Sequence, residues 1–215
     1  MNIEDLRQLY LEDLSKMVQY DPSKPPRARV RHPKQYENIP VVEQVDIGKY
    51  DNIWFWSDTH FAHKNVIKYC NRPYENLTDM YYKMRDAYNN TVGPNDLCIW
   101  GGDVAFTGTT QTNQLLSEFH HDKILVIGNH DMNKKKLKQM DFLQSHLVFM
   151  IDHDVTPLIV THYPMDNVPE PFFNVHGHTH HRNTDHDRQI NISVEAIDYT
   201  PIHLDEILRI AQGRL

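Results

Sequence analysis

The stretch NIWFWSDTH, residues 52–60, decides how the rest of the chain reads. Asn52–Trp56 is a short, dense apolar run, the signature of a strand buried on both faces. It breaks off into four polar residues, Ser57-Asp58-Thr59-His60. The same pattern recurs along the chain. Leu97–Trp100 runs into Gly101-Gly102-Asp103, and Lys123–Ile127 runs into Gly128-Asn129-His130-Asp131. Leu158–Thr161 leads to His162-Tyr163-Pro164, and Asn174–His176 leads to Gly177-His178-Thr179-His180. Helical spacing separates many of these runs, at Lys64–Cys70, Thr78–Asn90, Thr110–Phe119 and Asn133–Met140, with a last helix at Leu204–Ala211. Further strands are predicted at His146–Ile151 and Ile190–Val194. Buried strands followed by helices predict a layered α/β fold, and such folds place their sites just past the strand ends. The aromatic run Trp54-Phe55-Trp56 is read as core.

The composition fits this reading. The 215 residues suffice for one large domain with an appendage, with 40% hydrophobic and 24% charged residues. Mean hydropathy is −0.63. No apolar run approaches the roughly 20 residues that a bilayer requires, so no membrane partner is expected. The opening Met1-Asn-Ile-Glu-Asp lacks an apolar signal core, and the two cysteines, Cys70 and Cys98, make no disulfide framework. A cytoplasmic location is expected, in a bacterial cell or a phage-infected host. The formal charge of −7 argues against a grip on long nucleic acid. It leaves room for a small phosphorylated substrate, because bound cations invert the local field.

Residues 1–50 read as an N-terminal extension, and 51–215 as the main domain. In the extension, Ile3, Leu6, Tyr10, Leu14 and Met17 predict an amphipathic helix over 2–18. An extended Pro/Arg-rich linker follows over 21–34, where Arg27, Arg29 and Arg31 stand between prolines, and then a short strand around Pro40–Val45.

Fifteen histidines are present, concentrated in the second half. Histidine is the commonest metal ligand and the usual acid or base near neutral pH. Reading the post-strand segments as extended, residues i and i+2 point the same way, so Asp58 with His60 and His178 with His180 form two chelating pairs. Asp103, Asn129 and His162 add single ligands. Seven oxygen and nitrogen donors without a thiolate exceed one tetrahedral ion and suit two borderline-hard cations. Two such ions are the arrangement used for in-line displacement at phosphorus.

The ordered set DTH at 58–60, GGD at 101–103, GNHD at 128–131, THYP at 161–164 and GHTH at 177–180 resembles the signature of the calcineurin-like metallophosphoesterases. The stretches SDTHFAHKNVIKYCNRPY and NISVEAIDYTPI are similar to the short stand-alone members from bacteria and phages. The likeness spans roughly residues 51–200. It implies an α/β/β/α sandwich, here preceded by the helix and linker. It further implies that Asp58, His60 and His180 hold one metal, that Asn129, His162 and His178 hold the other, and that Asp103 bridges them. Mn²⁺ is favoured, with Fe, Zn²⁺ or Ni²⁺ as alternatives. His130 is implied to stabilise the transition state or protonate the leaving oxygen, with Asp131 hydrogen-bonded to it to set its tautomer.

One departure bears on substrate. Protein Ser/Thr phosphatases of the superfamily continue this motif as GDxxDRG, whereas here Asp103 is followed by Val104-Ala105-Phe106-Thr107-Gly108, without the phosphate-gripping arginine. His63 and Asn65, at an expected helix start where backbone N–H groups favour an anion, are candidate substrate contacts. The expected activity is hydrolysis of a phosphodiester, a cyclic nucleotide or nucleotide-like small molecule, by a metal-bridging hydroxide. A phosphomonoesterase is the runner-up and a nuclease comes third. The non-enzyme alternative is a metal-binding scaffold of the same fold, and against it His130 and all the ligand positions are intact. Oligomeric state is not readable from the sequence.

Overall fold

The computed structural model describes residues 2–19, 47–131, 137, 139–154, 156–182, 184 and 186–215. The Pro/Arg-rich linker, the strand expected around Pro40–Val45 and most of the helix expected at Asn133–Met140 lie outside these residues.

Two sheets form the centre. In the first, β1 (Ile53–Trp56), β2 (Leu97–Trp100), β3 (Asp122–Val126) and β4 (Gln144–His146) are parallel, and β9 (Ile202–His203) closes the other edge antiparallel to β1. The second sheet runs β5 (Phe149–Ile151), β6 (Leu158–Thr161), β7 (Phe173–His176) and β8 (Gln189–Asn191), parallel except for the β5–β6 pair.

Strand alternation divides the core. One set of side chains, Phe55, Ile99, Ile124 and Val126 from the first sheet with Leu158, Val160, Phe173 and Val175 from the second, packs between the sheets. The residues between them, Trp56, Cys98, Trp100 and Leu125, turn to the other face of the first sheet. There they meet Met80, Met84 and Tyr88 of α3 (Leu77–Thr91) and Leu116 of α4 (Thr109–Leu116). Trp56 lies 5.4 Å from Tyr88 and 5.1 Å from Trp100, ring centroid to centroid. Phe55 and Trp56 are fully buried, as expected of core, while Trp54 is half-buried and donates its Nε1–H to Asp96 Oδ2 at 2.8 Å. The same outer cluster takes in Leu6, Tyr10 and Leu11 of α1 (Ile3–Gln19). The last helix, α5 (Leu204–Gln212), buries Ile207 and Ala211 in the intersheet core. This is the expected layered sandwich of two sheets with helices outside.

Two local readings change. The single strand expected at His146–Ile151 is two strands in different sheets, with Leu147 and Val148 forming the crossover. The short strand β9 has no apolar run to announce it. Among the described residues no helix is long and apolar enough to cross a membrane.

Candidate metal centre

Strands β1, β2, β3, β6 and β7 all end on the same rim, and the loops that leave them are stitched together by backbone hydrogen bonds. Asp58 N–H donates to Gly102 O, His60 N–H to Asp103 O, and Gly177 N–H to His162 O, each at 3.0 Å. The sheets are joined where Val194 N–H reaches Ser57 O at 3.0 Å and His178 N–H reaches Asp58 Oδ2 at 2.8 Å. Glycines permit this close approach. Gly102 has φ +101°, and a Cβ at Gly128 would collide with Asp103.

The post-strand segments are not extended. Asp58, His60, Asp103, His178 and His180 all have positive φ, between 48° and 66°. Left-handed backbone is uncommon for residues other than glycine and is concentrated at functional sites. The i, i+2 pairs therefore converge through turns, not through strand alternation.

Four groups of donor atoms result among the described residues, each with its atoms within 4.8 Å of one another: Asp58/His60/His180, Asp103/His162/His178 and His60/Asp103/His130 share the rim, and Cys70/His180/Glu195 lies behind His180. Asp103 stands at the centre. Its Oδ1 accepts the His130 N–H at 2.8 Å. Its Oδ2 faces the Nε2 atoms of His60, His162 and His130 at 3.5, 3.6 and 3.8 Å. His162 shows what these contacts lack. Its Nδ1 must donate to Gly101 O at 2.8 Å, because a carbonyl only accepts. In the neutral ring Nε2 then carries a lone pair, and it faces Asn129 Oδ1 at 3.1 Å as well as Asp103 Oδ2. Lone pairs facing one another require a proton or a cation between them. Asp58 Oδ1 adds a buried oxygen with no hydrogen-bond partner among the described residues, 3.8 Å from His60 Nε2.

The electrostatics agree. Burial, reinforced by the Asp131 and Asp58 charges, pushes the Asp103 carboxyl up to about 7, against the opposing pull of His162. Burial pushes His178 down to about 3 and His60 well below the usual imidazole value. Burial works against a charged His162, but the Asp103 and Asp58 carboxylates outweigh it and raise its pKa. Desolvated acceptors of this kind, all nitrogen and oxygen, fit one or two borderline-hard cations.

Supporting contacts fix the donors. Asp58 Oδ2 takes the hydroxyls of Ser57 at 2.7 Å and Ser193 at 3.1 Å. His180 Nδ1 faces both oxygens of Glu195 at 3.1 Å, which leaves Nε2 as its remaining donor atom. Glu195 is gripped by the buried Arg72, through Nε at 2.8 Å and Nη2 at 2.7 Å. The same guanidinium donates to Thr59 O at 2.7 Å and Asp58 O at 2.6 Å. Burial opposes the charge on Glu195, but His180 and Arg72 hold it down at about 2. For His180, burial is outweighed by hydrogen bonds to Cys70 and Glu195, and it is pushed up to about 10. Sequence reading missed Arg72, Glu195, Ser57, Ser193 and Tyr163. The only signal was a charged residue standing in each of the otherwise neutral stretches NRPY and NISVE.

Two of the expected site residues have surroundings the sequence did not announce. Asp131 is fully buried, and its carboxylate accepts the N–H groups of Asp103 at 2.7 Å, Gly128 at 3.0 Å and Val104 at 3.1 Å. It ties the loops after β2 and β3 together. The helix expected at Lys64–Cys70 is only α2 (Val66–Tyr69), too short for an appreciable dipole, and Asn65 is an exposed residue preceding it that makes no side-chain cap. His63 does reach the centre, its ring 5.5 Å from that of His60. His130, 35% exposed at its side chain, forms the solvent side of the cluster.

A family model described as calcineurin-like phosphoesterase matches residues 52–210. The chain belongs to the calcineurin-like phosphoesterase family. An uncharacterized protein of Methanocaldococcus jannaschii is 29% identical over 169 residues, which cover 74% of this chain and 91% of that protein. Among solved structures, a protein of unknown function from Aquifex aeolicus superposes with a TM-score of 0.58 at 27% identity, covering 74% of this chain and 98% of that one. YfcE, a phosphoesterase from E. coli, gives 0.39 at 16% identity, covering 66% of this chain and 78% of its own. As a calcineurin-like phosphoesterase the protein is a candidate metal-dependent hydrolase, and the donor groups around Asp103 fit the divalent metals typical of that family.

Proposed function

We propose that this phosphoesterase hydrolyses a phosphodiester in a small molecule, a cyclic nucleotide or nucleotide-like compound, with two divalent cations held by Asp58, His60, His180, Asn129, His162, His178 and the shared Asp103. The convergence of three imidazole nitrogens on Asp103 Oδ2, at 3.5, 3.6 and 3.8 Å, carries the reading. Cations in this place would supply charge neutralisation at phosphorus and an activated water; Mn²⁺ is the first choice.

The chain's own residues do the rest. Asp103 Oδ1 is tied to the His130 N–H, so Oδ2 stays turned inward. Gly101 O fixes the tautomer of His162, and Glu195 fixes that of His180. His130, on the open side, donates a proton from its ring to the departing oxygen. The preference for a diester over a monoester is supported by Arg72. That guanidinium is buried and committed to Glu195 and two carbonyls, so it is not presented to the extra charge of a monoester. The reading carries with it a small cytoplasmic substrate, with no membrane or long nucleic acid as partner.

The test is a panel of mono- and diesters, including cyclic nucleotides and short oligonucleotides, assayed with Mn²⁺, Fe²⁺, Zn²⁺ and Ni²⁺. Diester turnover that is abolished by Asp103→Ala is expected. A protein that binds metal and hydrolyses none of the panel is a scaffold, and the proposal fails.

A further inference from the structure

Beside His130 stands an aromatic surface that coordination does not require. Phe106 is 52% exposed and Tyr69 is 62% exposed. The Phe106 ring lies 4.7 Å from that of His63 at an interplanar angle of 30°, and it meets His130 edge-on at 5.2 Å. Tyr69 flanks His63 at 6.4 Å. The backbone under Phe106 is fixed, since Phe61 bridges Ala105 and Phe106 N–H donates to Phe61 O at 2.8 Å. The platform is thus built on the same two loops that carry Asp58, His60 and Asp103.

A large ring left open to water at the lip of a polar site marks a place where an apolar, flat group docks. We propose that Phe106, backed by His63, is the subsite for the nucleobase of a mononucleotide-type diester. The inference rests on the phosphoesterase reading and narrows its substrate class. Because Phe106 touches His130, the proton donor, the base lies on the side of the leaving group. Water adds to phosphorus, the P–O bond to the nucleoside breaks, and the departing oxygen takes a proton. One acyclic diester and one water therefore give one nucleoside and one phosphomonoester, while a cyclic nucleotide and one water give a single nucleoside monophosphate. The chain's net charge of −7 favours a single nucleotide over a polymer.

The experiment titrates AMP and ribose 5-phosphate into the Mn²⁺-loaded protein by calorimetry, and compares kcat/KM for the methyl diesters of the same two compounds. A base on an aromatic platform changes affinity by roughly tenfold. AMP is expected to bind roughly tenfold tighter than ribose 5-phosphate, with Phe106→Ala reducing the ratio to about twofold and Phe106→Tyr preserving it. Equal affinities in the unmodified protein, or a ratio unchanged in Phe106→Ala, overturn the subsite. Diester turnover without base preference sinks the subsite and leaves the phosphoesterase reading standing. AMP preference lost in Phe106→Ala, with no turnover of any ester, supports the subsite and sinks the hydrolytic reading.

Discussion

Tyr10 accepts the backbone N–H of Tyr163 at 3.0 Å, and Tyr163 in turn donates its hydroxyl to Asn129 Oδ1 at 3.1 Å. The first helix is thereby linked, through one residue, to the donor cluster, although Tyr10 and Tyr163 are 153 positions apart. Asp13, fully buried on the same helix, accepts the Asp166 N–H at 3.0 Å just beyond. Tyr10→Phe removes the acceptor of a buried N–H and is expected to cost about 1 kcal/mol. For a chain of this size that lowers Tm by roughly 2–4 °C. Thermal unfolding checks it, and a parallel metal titration is expected to show weaker binding.

Asp131 supplies a test of its structural part. Asp131→Asn turns an amide NH₂ toward backbone N–H groups that now point at a carboxylate, and is expected to destabilise the fold by about 1–3 kcal/mol. The limb of the pH–kcat profile set by His130 is expected to stay in place. A shift of that limb by about one pH unit would show that Asp131 acts on His130 directly.

Glu195→Gln is expected to act at two levels. Arg72, buried and stripped of its anion, costs roughly 3–5 kcal/mol in urea unfolding. His180 loses the carboxylate that orients it, so metal affinity falls by roughly 10–100-fold. Metal affinity equal to wild type in a folded Glu195→Gln would remove the orienting role.

His130→Ala is expected to retain its metals and lose roughly 10²–10⁴-fold in kcat on a diester with an alkoxide leaving group. A p-nitrophenolate leaving group needs no protonation, so the loss there is expected to be much smaller. Equal losses on both substrates would point to a role other than proton donation.

His146 ends β4, 4% exposed, and burial pushes its imidazole down to about 4. In the unfolded chain it titrates near 6.5. Its contribution is therefore fully present above pH 6.5 and is lost as pH falls toward 4, because the unfolded chain takes a proton that the fold refuses. Roughly 2 kcal/mol is lost by pH 5. Urea unfolding of wild type and His146→Leu at pH 7.5 and pH 5 measures it, with the variant expected to lose less.

The strands that carry the site were legible because each is an apolar run cut off by polar residues, as at Trp56-Ser57 and Trp100-Gly101. The crossover at Leu147-Val148 was hidden, since both residues run without a break into the apolar Phe149–Ile151, while β4, Gln144-Ser145-His146, is polar and carries no strand signal of its own. Arg72 and Glu195 were hidden for a different reason. Their partnership spans 123 positions and belongs to none of the five motifs. The loop-tying part of Asp131 was hidden because its partners Asp103 and Val104 lie 28 and 27 positions away, on the loop after β2.

The left-handed backbone at Asp58, His60, Asp103, His178 and His180 restricts which residues can replace them before any question of coordination arises. Asparagine and glycine tolerate such torsions, whereas valine, isoleucine and threonine do not. A descendant that lost its catalytic need would drift most easily to Asn or Gly at these places. It would keep the loop shapes while shedding their chemistry, so an inert copy of this architecture would look intact in backbone trace and betray itself only in side-chain identity.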